Sequence, residues 1–174
     1  ANFLALDSLY KYNEKDLEKF NGWIEHTLKE SNEKRTNSII IDKSKYTLYL
    51  IESGKINSQY PIELGGNPFD DKQREGDGCT PEGLYEIEQK KNIGQSVFYK
   101  AFLINYPNNE DKKIGKTGSL IEIHGSGSGQ AGNNGGYNWT LGCIALSNEN
   151  IDKIFPYLTK EDKITIVKYT SLLD

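Results

Sequence analysis

The sequence predicts a mainly β domain, a sandwich or barrel-like fold with a few short helices and one N-terminal helix. Three observations predict it. After Thr36 the chain breaks into short β-prone runs separated by turn residues. No βαβ rhythm, internal repeat or low-complexity tract interrupts them. The one long helical stripe lies ahead of them: Leu17, Phe20, Ile24 and Leu28 recur at helical spacing, with Trp23 beside them and Lys and Glu opposite.

In order, the helix runs from Asn13, a suitable cap, to about Ser31. Residues 38–42 (Ser-Ile-Ile-Ile-Asp) read as a buried strand, and residues 46–51 as a second. Glu52-Ser53-Gly54-Lys55 turns the chain into a third over residues 56–64. Residues 84–88, 98–105 and 119–124 supply further strands, residues 148–158 a short helix, and residues 163–169 an alternating, closing strand. Two loops, residues 65–80 and 125–139, run near the length of about 12–15 residues above which connections tend to be functional. The expected organisation is an N-terminal helical extension over residues 1–36 and a β-rich domain over residues 37–174.

Composition narrows the function. The 174 residues carry 21 Lys and Arg against 25 Asp and Glu, a net charge of −4 with no basic block, which excludes a phosphate-neutralising nucleic-acid surface. No apolar run approaches the ~20 residues of a membrane helix, so no membrane span is expected in this chain. Two cysteines are too few for a disulfide framework or a self-sufficient zinc site. The chain starts at Ala1 without Met, so the lack of a visible signal peptide carries little weight about export.

His124 ends a strand and meets Gly125-Ser126-Gly127-Ser128-Gly129. Alternation sets Ile121 and Ile123 on one face and Glu122 and His124 on the other, so the imidazole is expected to leave the core face and look over the Gly-rich loop. Cys143 follows nineteen residues later in Trp139-Thr140-Leu141-Gly142-Cys143. A cysteine nucleophile needs a base, because a free thiol is only a few per cent ionised at neutral pH. It also needs an acceptor that orients the imidazole, and donors for a developing oxyanion. His124 suits the first task, Gly125 or Glu122 the second, and the amides of Gly142 and Cys143 with the Thr140 hydroxyl the third. From the residues alone three readings stand: a catalytic pair, a structural His with a core Cys, and a metal site completed by Cys79.

Two motifs then add a resemblance. Ile123-His124-Gly125 and Thr140-Leu141-Gly142-Cys143-Ile144-Ala145, with fifteen residues between His124 and Thr140, form one; Gly76-Asp77-Gly78-Cys79-Thr80-Pro81-Glu82-Gly83-Leu84-Tyr85 forms the other. Together with the strand pair opening at Asp42, and over about residues 37–169, the chain resembles the YkuD-type L,D-transpeptidase catalytic domain of bacterial cell-wall enzymes. That resemblance implies a mixed-strand β fold with no cofactor and no metal. It implies attack by Cys143 on the bond between the L-centre of a diaminopimelate-type residue and the following D-residue of a peptidoglycan stem. His124 would act as base and then acid, and the Gly125 carbonyl would orient it, with Glu122 the outside choice. The thioester would pass to an amine of another stem, to a wall-tethered protein or to water, in a periplasmic or extracellular setting at the wall. Departures are Ala145 where many cross-linking members carry Arg, Leu141 where His is frequent, and Cys79 where Lys or Arg is common. They keep L,D-carboxypeptidase trimming, release of wall-linked protein and a non-catalytic wall-binding module as alternatives.

Further residues are weighed on their own chemistry. Tyr137, Asn138 and Trp139 are expected as a lid or a loop anchor. Leu141, Tyr106 and Lys100 are expected to reach substrate. Thr80-Pro81-Glu82-Gly83 reads as a rigid turn feeding the next strand. Cys79 reads as a loop residue, whose disulfide with Cys143 would block the nucleophile, and His26 lies on the helix outside any site.

Overall fold

The structure, a computed structural model, describes residues 12–125 and 140–173. Helix α1 spans Glu14–Lys34, starting where the Asn13 side chain accepts the Asp16 amide at 2.7 Å and ending on Arg35 in the left-handed region. Of the expected stripe, Phe20 and Ile24 are buried while Leu17 and Leu28 are only partly covered, and Thr27 and Ser31 complete the buried face. The stripe rotates because the helix meets the sheet through a polar contact as well: the Thr27 and Thr165 hydroxyls lie 2.6 Å apart in the buried interface. Complete burial of Phe20 and Ile24 stabilises this docking by roughly 1.5–3 kcal/mol each.

Eight strands follow: β1 (Asn37–Asp42), β2 (Thr47–Glu52), β3 (Lys55–Pro61), β4 (Gly83–Lys91), β5 (Ala101–Ile104), β6 (Glu122–His124), β7 (Ile144–Ala145) and β8 (Lys163–Val167). They form one sheet in the order β3-β2-β1-β8-β4-β5-β6-β7. The pairs β1–β8 and β6–β7 are parallel and the rest antiparallel, so the expected mixed-strand, mainly β fold is the one observed. The sheet curls until the segment after β3 meets β7, with Glu63 and Ala145 exchanging backbone hydrogen bonds of 3.0 and 2.9 Å. This half-barrel closure joins the chain's first strands to the β6–β7 rim.

Alternation along the central strands explains two cores. Ile39 and Ile41 of β1, Leu48 and Leu50 of β2, and Ile164 and Ile166 of β8 face the barrel interior. Ile40, Tyr49, Ile51 and Val167 face outward under α1. A strand buried on both faces reads as an unbroken apolar run, which is what residues 39–41 are. Short helices α2 (Asn109–Lys113) and α3 (Asn148–Ile154), and a 3-10 turn over Phe155–Tyr157, complete the described elements. Sequence periodicity missed α2, which is too short to show a stripe and is held by an Asn108–Asp111 capping box. It also missed β7, a two-residue strand that exists only through its neighbours. Strands expected over residues 98–105 and 119–124 shorten to β5 and β6 because the flanking residues leave the ladder.

The loop after β3 is anchored from beneath. Lys43, fully buried, donates to Glu82 Oε2 at 3.0 Å, to the Thr80 carbonyl at 2.7 Å and to the Asp70 carbonyl at 3.0 Å. The Thr80 hydroxyl in turn accepts the Gly65 amide at 3.1 Å. The turn read at Thr80-Pro81-Glu82-Gly83 is therefore a structural corner, tied on one side to Lys43 and on the other to Gly65.

Candidate active site

Cys143 and His124 meet because β6 and β7 run side by side and parallel. His124 is in register with Ala145, which sets Cys143 level with Glu122 and on the same face as the imidazole. Both line one cavity of about 520 Å³, with Phe98, Ser119, Leu120 and Thr140 among its other walls.

The imidazole is fixed on both sides. Its Nδ1 donates to the Gly125 carbonyl at 2.6 Å, which makes Nε2 the basic nitrogen. Its ring stacks on Phe98 with centroids 3.4 Å apart and planes 3° from parallel. Gly125 is the orienting residue; Glu122, the outside choice, is instead paired with Lys91 at 2.8 Å and accepts the Ser96 hydroxyl at 3.2 Å. His124 lies on the face opposite Ile123, and the Gly-rich loop it was expected to look over lies outside the described residues. The residue is fully buried, because the face opposite Ile123 is roofed by Phe98. Burial pushes the imidazole pKa down to about 4, outweighing the Gly125 carbonyl and the Glu122 charge that favour protonation.

The thiol is held by backbone. Cys143 Sγ accepts the Glu122 amide at 3.3 Å and donates toward the Leu120 carbonyl at 3.4 Å. Leu120 has a left-handed φ of 54°, a conformation costing an L-residue about 1–2 kcal/mol, and it turns its carbonyl to the sulfur. Burial pushes the thiol pKa up to about 11; the Glu122 amide opposes this, and the Glu122 charge reinforces it. At neutral pH both partners are therefore uncharged.

The Gly-Cys turn shapes itself. The Thr140 hydroxyl donates to the Cys143 carbonyl at 2.7 Å and accepts the Gly142 amide at 3.2 Å. Thr140 and the Gly142 amide, expected as oxyanion donors, are thus engaged within the turn. Gly142 has φ 136° and a Cβ there would lie 2.7 Å from the Cys79 carbonyl oxygen, so no other residue fits. Leu141 is exposed on the cavity wall.

Other expectations fare differently. Tyr106 does not reach the cavity: it is buried, donates to the Thr117 carbonyl at 3.0 Å and borders a separate depression beside Pro107 and Asn109. Its aromatic body served the core, where it tilts against Tyr85. Lys100 pairs with Asp152 at 2.7 Å. Trp139, Tyr137 and Asn138 lie outside the described residues, as does the Gly-rich run 126–129. Cys79 and Cys143 are both free thiols, and Cys79 turns back on the Asp77 carbonyl. Among the described residues no three His, Cys, Asp or Glu side chains are grouped to hold a metal, so Cys79, His124 and Cys143 form no such site. Sequence reasoning missed Phe98 and Lys72 as cavity walls. No local signal marks an aromatic ahead of a short strand or a lysine in a charged loop.

The linkage of His124 to folding is testable. Its pKa lies below the ordinary value of 6.5, so acidification from about pH 6.5 to 4 protonates the unfolded chain first and removes stability, by roughly 3 kcal/mol at most. Asp42, whose buried carboxyl is raised to about 6, acts oppositely: its folded form takes the proton first, and stability rises as pH falls from about 6 to 3.8. These contributions offset each other in the native chain. His124→Gln should expose the Asp42 slope, so that urea midpoints rise from pH 6 to pH 4 relative to the unsubstituted protein. Parallel pH profiles for the two proteins would refute the burial of an uncharged imidazole.

A curled mixed sheet carrying a Gly-Cys turn against a strand-ending His-Gly defines a class, the fold shared by solved L,D-transpeptidases. The L,D-transpeptidase of Stackebrandtia nassauensis superposes with a TM-score of 0.55 at 14% identity, over 88% of this chain and 68% of that one. The chain belongs to the YkuD family, L,D-transpeptidase catalytic domain, which it matches over residues 36–166. It is 35% identical over 88 residues to the Escherichia coli K12 protein named "Putative L,D-transpeptidase YafK", covering 51% of this chain and 31% of that protein. Among structures, it is similar to the helical cell shape determining protein Pgp2 from Campylobacter jejuni, with 29% identity and a TM-score of 0.62 over 86% of this chain and 55% of that one. Bd1075 of Bdellovibrio bacteriovorus gives 27% and 0.60 over 79% of this chain and 50% of that one. The chain thus spans about a third of its E. coli relative and about half of the latter two.

Proposed function

We propose that this domain is a cysteine acyl-transfer enzyme acting on peptidoglycan stem peptides, with Cys143 as nucleophile and His124 as general base and acid. The observation that carries the reading is the shared cavity in which the thiol and an imidazole locked by Gly125 line one wall. Nε2 takes the thiol proton as Sγ attacks the carbonyl carbon of the stem amide. The C–N bond breaks and the departing amine takes the proton from Nε2, leaving a thioester. An acceptor amine or water gives its proton to Nε2, attacks the thioester, and Sγ leaves and is reprotonated. The Cys143 amide is the proposed oxyanion donor, and Leu141 flanks the substrate. The setting that suits such a substrate is the periplasm or cell exterior, and the likeness to Pgp2 supports a role in cell shape.

Trimming is the second reading, favoured by Ala145. This residue is buried in β7 and presents no cation to a second stem. Incubation with a defined disaccharide tetrapeptide, followed by mass spectrometry, tests both. A dimer with loss of one D-Ala identifies cross-linking; loss of D-Ala without a dimer identifies trimming. Unchanged substrate would refute the enzyme and leave a wall-binding module.

A further inference from the structure

We propose that Lys72 is the carboxylate-binding residue of this cavity and selects stem peptides bearing a free acid on one of the two residues joined by the bond attacked. The inference rests on the stem-peptide reading above and names the part of the substrate that the site grips.

Lys72 lines the same cavity as Cys143 and His124, yet its side chain is only 3% exposed, far less than a solvated lysine. A lysine is buried at such a place when its ammonium is held. Nζ donates to Asp77 Oδ1 at 2.9 Å and to the Arg74 carbonyl at 3.2 Å, while its stem runs against Gly118, where a Cβ would lie 3.1 Å from Cε. An ammonium has three N–H donors, and two are engaged among the described residues. The third is left for a ligand of the cavity that Lys72 lines.

The counter-ion does not cancel this cation. Asp77 spreads its charge over the backbone amides of Gln73 at 2.8 Å, Arg74 at 3.0 Å and Cys79 at 3.1 Å, as well as over Lys72. Asp77 thereby closes the loop of residues 72–79 into a rigid wall, and its carboxyl is held well below the ordinary range by those bonds. The other charged groups on the cavity do not compete for an anion: Glu122 is matched by Lys91, and Glu75 is exposed. A pre-positioned ammonium with a spare donor in a cavity otherwise largely apolar recognises a carboxylate, and little reorganisation is needed on binding.

Two carboxylates of a tetrapeptide stem qualify: the free acid at the D-centre of the diaminopimelate and the C-terminal acid of D-Ala. Three synthetic stems separate them, one with both acids free, one amidated at the diaminopimelate and one amidated at the C-terminus. Calorimetric titration of each into the Cys143→Ala protein measures binding without turnover. One amide should bind at least tenfold more weakly than the free acid, and that amide names the group held. Lys72→Met should erase the difference by weakening only the acid, and Lys72→Arg should keep most of it. Equal binding of all three stems to the protein with Lys72 intact overturns the proposal, and needs no folding of a Lys72 variant. So does a Lys72→Met protein that loses all three equally, the result expected of a purely structural loop clamp or of a lysine serving only the thiolate. If the acid preference holds while the unsubstituted chain converts no stem, the carboxylate site stands and the enzymatic reading falls.

Discussion

Cys143→Ala should reduce turnover of a tetrapeptide stem by roughly 10⁴–10⁶-fold, and His124→Gln should cost nearly as much, with the double variant no worse than either alone. Such non-additivity follows if thiol and imidazole act as one unit. The resting charge state sharpens the expectation. With the thiol pushed up to about 11 and the imidazole down to about 4, a preformed thiolate–imidazolium pair is absent at neutral pH. Iodoacetamide labelling of Cys143 should climb about tenfold per pH unit from pH 7 to 10 as thiolate accumulates. A plateau spanning pH 5–8 would mean that the pair is ionised at rest and that the burial described here does not govern it. With both groups uncharged at rest, the proposed mechanism requires substrate binding to trigger the proton transfer.

Lys43→Met should destabilise the fold by about 3–5 kcal/mol, because it leaves the Glu82 carboxylate buried and removes the donor to two loop carbonyls. A chain of this size should lose on the order of 10 °C in Tm. Adding Glu82→Leu to Lys43→Met should recover much of the loss, since removing both charges lifts the desolvation cost that removing one exposes. If the double variant were no more stable than the single one, the ion pair would not be what holds the corner. The damage should also reach the site. Thr80 fixes Gly65, and Gly65 packs so closely on Gly78 and Gly142 that a Cβ there would collide with the Gly78 carbonyl oxygen and sit 3.1 Å from Gly142 Cα. The corner over Lys43 is thus the floor beneath the Cys143 turn.

Much of this was legible in the chain. Residues 39–41 announced a strand buried on both faces, and Asn13 with the stripe through Phe20 and Ile24 announced a capped, docked helix. His124-Gly125 and Thr140-Leu141-Gly142-Cys143 carried the candidate pair, because a strand-ending His and a Gly that needs positive φ are written in short-range pattern. Other features were not legible. The two-residue β7 exists only as a partner of β6 and of the segment around Glu63, so no propensity marks it. Tyr106 looked like a substrate contact after a strand end, but its ring was needed by the core.

What the sequence alone determined was most of the local elements and the two candidate reacting groups, since periodicity, caps and turn chemistry act within a few residues. Only the tertiary structure decided the charge state of those groups, the Phe98 roof over His124 and the burial of Lys72 in the wall of the cavity that holds Cys143. Each of these depends on desolvation and on contacts between residues dozens of positions apart, which no local pattern encodes.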